Sequence, residues 1–361
     1  MLNTMRKNEK IKWAFTTRRV NRDDATTLLE DFDKAAPGDI ILAQVVEIGQ
    51  HSGVQLITGR RASIYVGDMV ALCLGARYAP DQFESEAAVD GDYCHLVAAG
   101  GIAGTVVRKH GGMKTPTLLK IVGRMADASG APINIRNYAL GAVEPGPRPP
   151  VIAVFGASMN SGKTTTAAAL IHGLTKAGYK VGACKATGTG ACGDMNTYRD
   201  AGAHALLDFT DLGFATTFGA DIAEVRKVAS DLIDHLSRRG ATAIVMEIAD
   251  GVLQRETAAL MADPSFVRMV DAVMFAGPDA LSAINGVRVL RDAGHHVLGV
   301  SGVMTRSPLA CEEAGRLIEA PIVTKQALWD GETVAALLET KGLTSPDLKM
   351  LREDCPTAVA A

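Results

Sequence analysis

The densest chemistry in the chain sits in one short segment. Gly156-Ala-Ser-Met-Asn-Ser-Gly162-Lys163-Thr164 satisfies the spacing G-x-x-x-x-G-K-[ST] without a mismatch. The glycines let successive backbone N–H groups curl around a phosphate. Lys163 supplies positive charge to the β- and γ-phosphates of a nucleotide, and Thr164 offers a hydroxyl to Mg²⁺. A helix opening at Gly162 would point its positive end at the same anion. The candidate nucleotide-binding residues are therefore Gly156, Asn160, Ser161, Gly162, Lys163, Thr164 and Thr165.

A metal partner requires acids. The run Ala243-Ile-Val-Met-Glu247-Ile-Ala-Asp250-Gly251 reads as an apolar strand that ends in two carboxylates. The C-terminal edge of a strand beside the phosphate loop is where a Mg²⁺ ligand belongs. Glu247 is preferred to Asp250 because it interrupts the apolar run, and an acid buried there needs a partner. Lys185-Ala-Thr-Gly188-Thr-Gly190-Ala-Cys-Gly193-Asp194 has the composition of a second anion and metal cradle. Thr305, in Gly302-Val-Met-Thr305-Arg306, ends the final strand in a loop placed to meet the base. No N-K-x-D guanine-reading motif occurs, which favours ATP while leaving GTP possible. His204, in what reads as an Ala/Leu-rich helix, is expected to be structural. Cys192 has no activating histidine near it in sequence and is not expected to be a nucleophile.

The elements that must position these residues alternate. Val151 to Phe155 is an unbroken apolar run of buried parallel-strand type. Helices are expected over 167–177 and 222–239, and strands over 180–184, 243–248, 272–276, 297–303 and 321–324. That rhythm predicts an α/β fold with a mostly parallel sheet covered on both faces. Before it, four prolines in Glu144-Pro-Gly-Pro-Arg-Pro-Pro150 forbid regular structure and read as a linker. Upstream, short β-rich runs separated by Ser52-Gly53, Thr58-Gly59 and Val66-Gly67 predict a small barrel or sandwich. A helix is expected over 22–35, capped by Asn21 and ended by Pro37-Gly38. The organisation is thus an N-terminal helical segment (1–38), a β-rich domain (39–143), the linker (144–150), a nucleotide-binding domain (151–345) and a tail (346–361) with a short helix from about Ser345. Two segments of the β-rich domain are unusually rich in polar chemistry: Gly75 to Glu84, which carries Arg77, Asp81 and Glu84, and His95 with Gly100-Gly101.

These motifs together resemble the dethiobiotin synthetase branch of P-loop NTPases, which also contains the molybdopterin-guanine dinucleotide biosynthesis accessory protein B. The resemblance covers about residues 150–330. It implies a substrate contact for Lys185 and metal ligation by Asp194 and Glu247 beside Thr164. The Ala-Thr-Gly-Thr-Gly stretch, followed by Asp194 and Asp208-Phe209, is also similar to a P-loop family that includes a D-glutamate N-acetyltransferase. Met159 stands where the dimeric, membrane-cycling ATPases of this class carry a signature lysine, which argues against such a machine. The β-rich domain is not part of dethiobiotin synthetase.

Three readings stay open. The first is an ATP- and Mg²⁺-dependent enzyme that transfers a phosphoryl group to, or activates, a small carboxylate or amine, with Lys163, Lys185 and Glu247 catalytic. The second is a nucleotide-binding accessory protein that docks on a partner enzyme. The third is an acyltransferase whose loop grips the phosphates of acetyl-coenzyme A. Composition narrows the partners. A net charge of -3 and 5% aromatic residues argue against nucleic acid. No uninterrupted apolar run reaches membrane-spanning length, and the basic, polar first residues hold no signal-peptide core, so a cytoplasmic protein is expected. A small-molecule substrate and a homodimer complete the expectation. The six cysteines, none in a CxxC pair, read as reduced thiols.

Overall fold

The computed structural model describes residues 11–340, 342 and 343. The tail at 346–361 and its helix from Ser345 lie outside the described residues. The chain divides into two compact units. One holds the chain up to Gly141 together with Thr187–Asn196 and Asp208–Asp221; the other holds Ala142–Ala186, Thr197–Leu207 and the chain from Ile222 onward.

The first unit is a barrel. Its strands are β1 (Ile11–Trp13), β2 (Thr27–Leu29), β3 (Ile40–Glu47), β4 (Gly53–Gln55), β5 (Arg61–Ser63), β6 (Met69–Leu74), β7 (Arg77–Tyr78), β8 (Phe83–Glu86), β9 (Tyr93–Ala98), β10 (Ile102–Lys109) and β11 (Thr117–Ala126). The ladder runs β6-β3-β11-β9-β10, antiparallel at each step. It then closes, because β10 pairs with β6 in parallel, Ile102 beside Cys73 and Ala103 beside Leu74. Closure removes the exposed edges that an open sheet would leave.

Side-chain alternation sorts the barrel strands into two buried sets. Ile41, Leu72, Leu96, Ala103 and Ile121, one from each closed strand, meet in one cluster, which is the barrel interior. Their neighbours Ile40, Leu42, Ala71 and Cys73 pack outward beneath Trp13, Val20 and Ile135. Both faces of β6 and of the first half of β3 are buried, so Met69–Leu74 and Ile40 to Ala43 are apolar at every position.

The helix expected over 22–35 is absent. Asn21 accepts the Asp23 N–H at 3.2 Å and donates to Asp24 at 2.9 Å, forming a turn instead of a cap. The chain then joins the sheet: Thr26 donates to Ala126 O at 2.9 Å and β2 pairs with β11. Residues Phe32–Lys34 form only a 3-10 turn. Ladder pairing has overridden a weak helical preference.

The second unit is an open α/β sheet. In chain order it has β12 (Val151–Gly156), α1 (Lys163–Lys176), β13 (Val181–Lys185), α2 (Cys192–Asp200), β14 (Ala205–Asp208), α3 (Ile222–Arg238), β15 (Ala243–Glu247), α4 (Arg255–Ala262), α5 (Pro264–Met269), β16 (Ala272–Ala276), α6 (Ala280–Asp292), β17 (Val297–Ser301), α7 (Pro308–Gly315), α8 (Lys325–Leu328) and α9 (Gly331–Glu339). The strand order is β14-β13-β15-β12-β16-β17, and the pairings from β13 to β17 are parallel. The chain leaves β12 toward β13 on one side and later builds β16 on the other. β12 therefore adjoins the switch point, and ligands of such sheets bind at the C-terminal ends of the strands there. The strand expected at 321–324 reduces to one parallel bridge between Val300 and Ile322. Arg148 of the proline-rich linker donates to Met269 O at 2.6 Å.

Candidate functional site

The phosphate-loop segment connects β12 to α1, as its spacing demands. Its backbone is held in a tight curve. Asn160 has φ 62° and Gly162 φ 98°, both in the left-handed region. Gly156 is required for space: a Cβ there would stand 2.3 Å from Ser161 Oγ and 2.6 Å from Lys163 Cγ. The Lys163 ammonium folds back to donate to Ser158 O at 2.7 Å. Ser161 is fully buried, and its hydroxyl has no hydrogen-bond partner among the described residues. The amides of Met159 and Gly162 likewise meet no protein acceptor among the described residues. A buried orphan hydroxyl beside open amides and a lysine is a donor set that fits an anion. Thr164 is half-buried in the first turn of α1, and Thr165 beside it is exposed.

Two further turns press against this loop. After β15, Val252 donates to Gly156 O at 3.0 Å, and a Cβ on Gly251 would fall 2.3 Å from Ala157 O. After β17, Val303 donates to Ser161 O at 3.1 Å, and a Cβ on Gly302 would meet the same oxygen at 2.6 Å. Thr305 lies in this second turn, where its hydroxyl donates to Gly302 O at 2.9 Å.

The acids at the end of β15 differ. Glu247 is 2% exposed and has partners on both oxygens. The Tyr198 phenol donates to Oε2, and the Lys185 ammonium stands 3.5 Å from Oε1. Lys185 and Glu247 are ladder partners across β13 and β15, which explains the pairing. Asp250 is half-buried at φ 65°, a backbone region that costs a non-glycine residue about 1 kcal/mol or more. No hydrogen bond reaches its carboxylate among the described residues. Burial pushes its pKa up to about 6; Lys163 and Lys185 pull the other way, while Glu256 and Glu247 add to the rise. The two lysines and Asp250 are thus close enough to feel one another.

Asp194 has a different setting. It lies in the first turn of α2, within the stretch that packs into the barrel unit. In the glycine-rich stretch before it, several amides already have protein acceptors. Gly188 donates to Thr217 Oγ1 at 2.8 Å, Gly190 to Ala215 O at 2.9 Å and Cys192 to Gln55 Oε1 at 2.8 Å. Among the described residues no group of three His, Cys, Asp or Glu side chains is gathered for a metal ion.

The remaining candidates are structural. His204 is not on a helix; it precedes β14, with Nε2 3.1 Å from Arg239 O. The Cys192 thiol donates to Gly59 O at 3.3 Å, and burial raises its pKa, which keeps it protonated. His95 accepts from Val106 N at 3.2 Å, tying β9 to β10. Gly100 and Gly101 serve close packing: a Cβ would stand 1.8 Å from Gly190 O in one case and 2.0 Å from Ala14 Cβ in the other. Arg77 is buried, donating to Val97 O and to Gln82 Oε1 at 2.8 Å. Sequence reasoning missed Tyr198, which has no motif around it, and the close approach of Gly251 and Gly302. The glycines were legible in principle, since each directly follows a strand-end turn.

No family model matches the chain, and no curated protein matches it. Among solved structures, the signal recognition particle receptor FtsY from Elizabethkingia anophelis is similar over 53% of this chain and 65% of its own, with 17% identity and a TM-score of 0.39. The same receptor in complex with GDP gives 17% identity and 0.37, covering 55% of this chain and 66% of that one. The signal recognition particle 54 kDa protein from Aeropyrum pernix K1, in complex with GDP, gives 20% identity and 0.37, covering 58% and 51%. The chain spans less than two thirds of each of these proteins. Likenesses this weak decide nothing about function, and the fold rests on the strand order and loop described above. No described helix is long and apolar enough to cross a membrane.

Proposed function

We propose that this chain binds a nucleoside triphosphate at Gly156–Thr164 and uses it, with Mg²⁺, to transfer a phosphoryl group to a small carboxylate or amine. The observation that carries this reading is the loop itself. Among the described residues the Ser161 hydroxyl and the Met159 and Gly162 amides have no protein partner, and they stand beside a lysine that donates to the Ser158 carbonyl of the same loop. Exchanging Ser158 O for phosphate oxygen would turn Lys163 toward the charge that develops in phosphoryl transfer. Bound Mg²⁺ would neutralise part of the phosphate charge. Thr164 fits as one of its oxygen donors, and Asp250 fits as a nearby carboxylate with no hydrogen-bond partner among the described residues; Mg²⁺ sites of this kind use one or two protein oxygens plus phosphate and water. Glu247 is held by Tyr198 and Lys185, one on each oxygen, and would join them with a lone pair that these partners leave open. Lys185 would hold an anionic acceptor after loosening from Glu247. The absence of N-K-x-D favours ATP over GTP.

The test is thermal stability with ATP, GTP and acetyl-coenzyme A, each with and without Mg²⁺. A ligand at one hundred times its dissociation constant adds about 2.7 kcal/mol of apparent stability. A Mg²⁺-dependent shift with ATP supports the proposal. A shift with acetyl-coenzyme A alone would replace it with acyl transfer, and no shift with any of the three would remove the nucleotide reading.

A further inference from the structure

The barrel unit contains a cleft of about 1240 Å³ that the nucleotide reading does not use. Its size is that of a small-molecule site, somewhat above the common range. One part of its lining is apolar: Ile11, Trp13 and Val20, all nearly buried, with the half-buried Leu56 and Ile57. The other part is cationic. Among the described residues, Lys12, Arg18, Arg22 and Arg60 line the cleft against one acid, Asp23. That balance is a local reversal in a chain whose net charge is -3.

The four cations are not equivalent. Lys12 is paired with Asp68. Arg18 lies over the Phe15 ring and is gripped by Asp208 at 2.9 Å and Asp211 at 2.8 Å. These two are structural charges, already compensated. Arg22 and Arg60 are exposed, and neither side chain makes an ion pair or hydrogen bond among the described residues. Two uncompensated guanidinium groups on one cleft match a dianion better than a single negative charge, and their planar forks suit phosphate oxygens. The apolar lining then asks for a hydrophobic or aromatic body attached to that phosphate.

We infer that this cleft binds an organic phosphomonoester, its phosphate held by Arg22 and Arg60 and its apolar body packed along Trp13, Leu56 and Ile57. The site is independent of the phosphate loop and stands whether or not the chain is a phosphotransferase.

The experiment uses phenyl phosphate as probe and the full chain carrying Lys163→Ala, so that the loop does not contribute its own lysine to anion binding. Binding is measured by calorimetry, and in a Trp329→Phe background by the emission of Trp13, then the one tryptophan left. Saturable binding with a change in Trp13 emission is expected. Arg22→Ala and Arg60→Ala should each weaken it roughly tenfold, as loss of a charged hydrogen bond implies, and both together by roughly a hundredfold. Both side chains are exposed, so the variants should melt with the parent. The inference is overturned by no saturable binding, by binding that the double variant retains, or by an isotherm that leaves Trp13 emission unchanged. Benzoate or inorganic phosphate binding as tightly as phenyl phosphate would overturn the phosphomonoester assignment.

Discussion

Two glycine-rich loops follow two neighbouring types of strand in this chain, and they do opposite things. The loop after β12 has amides and a buried hydroxyl with no protein partner among the described residues and keeps a lysine at its end. The loop after β13 donates its amides to Thr217, Ala215 and Gln55, and its Gly190 packs against Thr16, Thr210 and Ala215. The first has donors that fit an anion, and the second packs within the barrel unit. Glycine and threonine content does not separate them; the fate of the backbone N–H groups does.

The sharpest way to break this comparison is to add one methyl group to the packing side. Gly100→Ala places a Cβ 1.8 Å from Gly190 O, and a backbone oxygen cannot swing aside as a side-chain tip can. Chemical denaturation should show a loss of at least about 3 kcal/mol, with the folded fraction binding ATP as before. Weakened nucleotide affinity in the folded fraction would give the second loop a ligand role after all. The complementary change is Lys163→Ala. It should leave the melting temperature of the free protein nearly unchanged and weaken ATP binding by roughly a hundredfold, about 2.7 kcal/mol. Unaltered affinity would mean that the loop is not where nucleotide binds.

The phosphate loop could be read from sequence because its chemistry is local. Gly156, Gly162, Lys163 and Thr164 must stand at fixed spacing, with an apolar strand before them and a helix after, and all of that lies within one short stretch. The parallel sheet was legible for the same reason, since β12, β13, β15, β16 and β17 are each continuous apolar runs. Barrel closure was not legible, because the β10 to β6 pairing joins segments that no turn connects. The expected helix at 22–35 failed because β11 offered a ladder that local propensity does not register. Nor could the sequence say that Glu247 would find Tyr198, since that phenol lies on a helix remote in the chain.

Asp250 and Glu247 repeat the contrast at the scale of side chains: among the described residues one carboxylate has no hydrogen bond, and the other is held from two sides. Raising the Asp250 pKa to about 6 means that the native state keeps a proton the unfolded chain releases near pH 4. Native stability should therefore fall as pH rises from about 4 to 6 and then level off. Asp250→Asn removes that loss. The variant should match the parent below pH 4 and exceed it by about 2 kcal/mol above pH 6, after discounting for partial exposure. A gain that is the same at pH 4 and pH 7 would show that the carboxylate's ionisation is not the cause. With ATP present, the variant should also need more Mg²⁺ for the same thermal shift.

Tyr198→Phe tests the other carboxylate and should give the smallest effect. The ring is fully buried, so removing its hydroxyl leaves the packing intact and deletes the donor to Glu247 Oε2. Glu247 keeps Lys185 at 3.5 Å, so the carboxylate is not stranded. A loss of about 1 kcal/mol in denaturant is expected, the ordinary net value of one buried hydrogen bond. The informative readout is Mg²⁺. If Glu247 is a structural anion, the Mg²⁺ dependence of ATP binding should not move, because Thr164 and Asp250 still supply the donors. Should Tyr198→Phe tighten that dependence severalfold, the phenol was restraining a metal ligand, and Glu247 would take the role that its place on the strand suggests. The difference between the two acids would then be one of state, with Tyr198 and Lys185 as the groups that release Glu247 when nucleotide arrives.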